Sequence, residues 1–145
     1  MGFVYEKVPE ADWGLYNSFK LRSYGREGVS KANQYSFWTV DRERSIYFIF
    51  IGGGANELPY EYAIIWRGEK ILIDVEARSM VTDDPLGELH WRIDSIIAPR
   101  SLESRKDDIV PLVLDVVNAV HAVQHKIPYR FTITHVAEPK FVDEV

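Results

Sequence analysis

The chain contains no cysteine. Disulfides, thiolate zinc sites and a cysteine nucleophile are therefore excluded, and the composition suits a reducing compartment. Long apolar runs are also missing. The longest apolar-looking uncharged run, Ile46 to Asn56, falls far short of the ~20 residues that cross a bilayer. Glu6, Lys7, Glu10 and Asp12 stand where a secretory signal would be apolar. A soluble, cytoplasmic protein with no membrane partner is expected. Basic residues are in the minority, 17 Lys and Arg against 22 Asp and Glu, giving a formal net charge of −5. That balance weighs against nucleic acid as the main partner. No Gly-x-Ser-x-Gly elbow occurs, so an ordinary serine hydrolase is not expected. Gly52, Gly53 and Gly54 are followed by Glu57 and Pro59, not by the lysine and helix start that a phosphate loop needs. They read as an inter-strand loop.

What the chain does have is a folded-back ribbon from Glu61 to Arg78, two runs of strand-forming residues separated by Arg67-Gly68-Glu69-Lys70. With Gly68 at the first central position of a type II′ turn, Trp66 would face Ile71, Ile64 would face Ile73 and Tyr62 would face Val75. One face is then wholly apolar. The other carries Glu61 opposite Glu76 and Ala63 opposite Asp74. A slip of one residue would put the acids among the apolar set, so parity is strongly specified.

The remaining elements follow from periodicity. Phe3–Val8 suits a short strand, and Pro9 to Arg22 suits a helix carrying Trp13, Tyr16 and Phe19 at helical spacing. Two glycines mark residues 23–31 as a loop. Lys20, Arg22, Arg26 and Lys31 around it form a locally basic patch that reads as solvated surface. Gln34–Val40 and Ser45–Ile51 flank a charged turn, Asp41-Arg42-Glu43-Arg44. Ser45–Ile51 is apolar on both faces and should be a central strand covered on each side. Glu88–Ile96 alternates, with Leu89, Trp91 and Ile93 one way and Glu88, His90, Arg92 and Asp94 the other. From Asp107 to Gln124 the run is too long for a strand and reads as a helix with Pro111 in its first turn. Its polar stripe is narrow: Asp115, Asn118, His121, Gln124 and His125. Tyr129–Val136 alternates again. No element is assigned beyond Val136.

The expected fold is a single α+β domain over residues 1–145. It has β-α-β-β-β-β-β-α-β order, an antiparallel sheet and two helices packed on one face. A chain of this length buries roughly 70% of the surface its unfolded form exposes, so its core needs no staples.

Candidate functional residues gather on the polar face of the ribbon and the strand after it: Glu61, Asp74, Glu76, His90, Arg92 and Asp94. Like charges opposed on a ladder are unfavourable, so a ligand, a partner or neighbouring cations should offset them. A metal could be held by Glu61, Glu76 and His90, or by His121 and His125 four apart on a helix. A carboxylate with a raised pKa could act as a general base in a small-ligand or hydrolytic site. The alternative for the acids is a solvated face screened by Arg78, Arg92 and His90, and for the histidines an exposed stripe. No cofactor is implied. The reading that best fits these features is a non-catalytic, protein-binding module that uses part of its sheet, with a homodimer as a second use of leftover apolar strand face. In size, acidity and lack of cysteine the chain resembles bacterial immunity-type proteins.

Overall fold

The computed structural model describes residues 6–8, 37–54, 57–80, 88–124 and 130–145. In chain order these form β1 (Glu6–Lys7), β2 (Phe37–Asp41), β3 (Ile46–Gly54), β4 (Glu57–Trp66), β5 (Glu69–Met80) and β6 (Glu88–Pro99). A 3-10 helix (Arg100–Arg105) then leads into α1 (Lys106–Gln124), followed by β7 (Arg130–Val136) and β8 (Pro139–Val142). The strands make one sheet in the order β1-β2-β3-β4-β5-β6-β7, with β8 also beside β6.

The sheet is mixed, which corrects the expectation of a purely antiparallel one. β1 to β6 form an antiparallel meander, as their short links require. β7 and β8 lie parallel to β6. The 19 residues of α1 explain the change of direction. At about 1.5 Å per residue they return the chain across nearly 30 Å, the crossover that a parallel neighbour needs. Among the described residues α1 is the sole α-helix, so the expectation of two helices on one face is reduced to one. The helix expected over Pro9–Arg22 lies outside the described residues.

α1 buries Ile109, Leu112, Val113, Val116 and Val117 against one face of the sheet, where Val40, Ile46, Phe48, Ile64, Ile71, Ile73, Val75, Trp91, Ile93 and Ile96 meet it. Asp115 and Asn118 are exposed, as the stripe anticipates. Pro111 is exposed too, but in the second turn, because the helix begins at Lys106. Its missing N–H leaves the Asp107 carbonyl without a helical donor, tolerable where both residues meet water. β3 behaves as a central strand: Ile46 and Phe48 enter this core, and Ile49 joins Val8, Ala63 and Ile65 in a second cluster. Because successive side chains alternate along a strand, that second cluster lies on the other face of the sheet.

The ribbon keeps its expected parity with its register moved by two residues. Ile64 faces Ile71, Tyr62 faces Ile73 and Trp66 faces Glu69. The turn is built on Arg67 and Gly68, with φ of 54° and 74°. Positive φ at both central positions is the type I′ geometry, whose twist matches the strands, and it replaces the expected type II′. An even shift leaves every side chain on its original face. Arg67 adopts the left-handed conformation with its guanidinium 5.7 Å from the Trp66 ring centroid, a cation–π contact.

Two further departures shape the site. Gly52–Gly54 belong to β3 and are not a free loop, although the ladder to β4 is irregular there. β6 carries a bulge: Val75 pairs with Ile93 but Asp74 pairs with Ser95, leaving Asp94 as the extra residue. The phase of alternation changes at that point. Trp91 and Ile93 are buried before it, Ile96 and Ala98 after it.

Candidate functional site

The row that crosses the sheet at the bulge holds the site. Gly52 pairs with Glu61, Glu61 with Asp74, and Asp74 with Ser95. Glu61, Asp74 and Ser95 project from the face opposite α1, since Tyr62, Ile73 and Val75 beside them point into the main core. Glu61, Leu72, Asp74, Ser95 and Ile97 line a depression of about 180 Å³. Its walls alternate acidic and apolar because two neighbouring rows contribute, Glu61–Asp74–Ser95 and Ala63–Leu72–Ile97.

Asp74 is the electrostatic centre of this row. Partial burial raises its pKa above the usual carboxylate value, and the negative charges of Glu61 and Asp94 raise it further. Asp94 shares this face by alternation with Arg92, and the bulge leaves it beside the row while Ser95 takes the place opposite Asp74. It is held there by Arg92, whose Nε donates to its Oδ1 at 3.2 Å.

The six candidate residues therefore separate into two groups. Glu61, Asp74 and Asp94 come together. Glu76 sits opposite Arg92 one row away, and His90 lies opposite Arg78 in the row beyond. The expected Glu61–Glu76 opposition does not form, because the two-residue register shift gives Glu61 to Asp74. Glu61, Glu76 and His90 consequently fall in three different rows. Among the described residues no three His, Asp or Glu side chains come together to hold a metal. His125 lies outside the described residues. Ser95 and Ile97 were not anticipated. A strict alternation from Leu89 to Asp94 points Ser95 inward, and only the change of phase between Ile93 and Ile96 gives the bulge away.

At the far end of the sheet the carboxylate chemistry is opposite in sense. Asp41 Oδ1 accepts a hydrogen bond from the Arg44 backbone N–H at 3.0 Å, and Oδ2 accepts one from Arg44 Nε at 2.8 Å. Burial pushes the Asp41 pKa up, but these bonds and the Arg44 charge outweigh it and hold the carboxyl below its usual value. Asp41 is thus a turn-closing group, with its charge already matched.

No helix among the described residues is long and apolar enough to cross a membrane. Comparison of the chain with protein-family models, with known protein sequences and with solved structures finds no match.

Proposed function

We propose that the chain is a protein-binding module that engages its partner through the Glu61–Asp74–Asp94 region of the sheet. The observation that carries this reading is the setting of Asp74, a half-buried carboxylate with acidic groups on both sides. Bringing like charges together costs stability, and a partner's lysine or arginine would offset that cost on binding. The depression suits such a side chain. Leu72 and Ile97 would cover its aliphatic stem while Glu61 and Asp74 meet its charged head. About 180 Å³ is well below the ~300–1,000 Å³ of typical small-molecule sites, which favours a protein partner over a small ligand or a hydrolysed substrate. Lack of cysteine fits a partner met in the cytoplasm.

The test is comparative capture. Wild-type protein and the variant Glu61→Gln/Asp74→Asn/Asp94→Asn are immobilised, and proteins retained from a cytoplasmic extract are identified and re-measured in purified form. A partner bound by the wild type and weakened at least roughly tenfold by the variant is the expected result. Equal retention by both would overturn the reading.

A further inference from the structure

We propose that a second surface, the groove between the start of α1 and β8, docks an extended basic segment of a partner protein, with alternate side chains apolar. The groove has a volume of about 540 Å³ and is lined by Glu103, Lys106, Asp107, Val110, Glu138, Pro139 and Phe141. Its floor is apolar. Val110 and Phe141 pack on the main core with one side and stay half-buried, so the core surfaces here. Its rim is acidic, with three carboxylates against the single Lys106.

Among the described residues, local ion pairs engage only Glu103 of the rim carboxylates. Arg100 lies 3.8 Å from Glu103 and also binds Asp143, while Arg105 turns to Asp108 at 4.0 Å. Asp107 and Glu138 have no ion pair among the described residues, and both are exposed. The complementary occupant is therefore cationic. β8 decides between a peptide and a small amine. It pairs with β6 on one side, and among the described residues nothing pairs with the other, so its outer edge offers main-chain groups to an extended segment. A strand added there alternates its side chains with period two, so one set enters the groove lined by Phe141, Val110, Asp107 and Glu138 and the other points to the opposite face of the sheet.

Nuclear magnetic resonance on the uniformly nitrogen-15-labelled full chain tests this. The probe is an acetylated, amidated hexapeptide of alternating leucine and arginine, with a leucine–glutamate hexapeptide as its counterpart. The expected result is saturable shifts at the amides of Asp107, Val110, Glu138 and Phe141 with the basic peptide alone. They should weaken roughly three- to tenfold in Asp107→Asn/Glu138→Gln. Both substitutions are on exposed side chains, so the fold is retained. Absence of saturable shifts, equal response to the acidic peptide, or unchanged affinity in the variant would overturn the proposal. So would light scattering that showed the groove already filled by a second copy of the chain. Shifts confined to Glu61, Asp74 and Ser95 would overturn it and leave the sheet-face reading standing.

Discussion

Glu61 and Asp74 face each other across the β4–β5 ladder, two carboxylates on directly opposed positions. Asp94 adds a third negative charge from the neighbouring strand. Replacing Asp74 by Asn should therefore stabilise the protein at neutral pH, by a few tenths of a kcal/mol once solvent screening is counted. Thermal unfolding of wild type and Asp74→Asn measures it, and a lower melting temperature in the variant would contradict the repulsion argument.

The same pair makes stability depend on pH with a definite sign. Asp74 has a folded-state pKa above its ordinary value of 3.8, so between the two the native state binds more protons than the unfolded chain. Stability contributed by this group then falls as pH rises through that window, and the penalty is fully present above it. Asp41 has the reverse sense. Its pKa lies below 3.8, so its contribution is present above that value and is lost as pH falls through the lowered folded pKa. Asp74→Asn should remove the first slope and Asp41→Asn the second, in denaturant titrations run from pH 3 to 7. Asp41→Ala should cost about 1 kcal/mol at neutral pH, because the Arg44 backbone N–H and guanidinium lose their acceptor.

Gly68 offers a test of the turn. A Cβ built there meets nothing within 4 Å, so Gly68→Ala creates no clash. With φ at 74° the penalty is conformational alone. It should be about 1 kcal/mol, read as a shift in denaturant midpoint without change of slope. A loss of several kcal/mol would mean that the turn is held by something other than its backbone conformation.

Deleting Asp94 tests the bulge. Without the extra residue Ser95 follows Ile93 directly, so strict alternation keeps Ser95 on the open face and Ile96 and Ala98, now 1% and 0% exposed, in the core. The expected change is therefore within about 1 kcal/mol, and a loss of more than about 3 kcal/mol, the scale of emptying a large core position, would show that the ladder beyond the bulge does not close up. Asp94→Ala keeps the residue count and should stay within about 1 kcal/mol of wild type, so the pair separates the backbone role of the position from its charge.

Much of the meander was legible in the sequence because alternation and turn residues are local signals. Ile64, Ile71 and Ile73 lie on the face assigned to them, and Ile46–Ile51 sits in a central strand with apolar cover on both sides. What escaped were features set by one-residue insertions or by distant pairing. Gly68 can serve either kind of primed turn, and only the positive φ at Arg67 chooses between them. Ser95 entered the candidate site through a bulge whose signature is a phase change spread over four residues, Ile93 to Ile96. β8 opens on Pro139, a residue confined to strand starts, edges and bulges, so its short run gave little strand signal. The parallel placement of β7 depends on α1 carrying the chain back, which no local pattern in Tyr129–Val136 records.

The crossover has a consequence for how the molecule assembles. Until residues 130–142 arrive, β6 has no neighbour on its outer side among the described residues, and the bond from the Thr134 hydroxyl to the Trp91 carbonyl spans 43 residues. During synthesis β1 to β6 can zip together in sequence while that flank stays exposed, a template for mispairing with another nascent chain. Completion waits on residues 130–142, so truncations that remove them should yield aggregates rather than a smaller folded sheet.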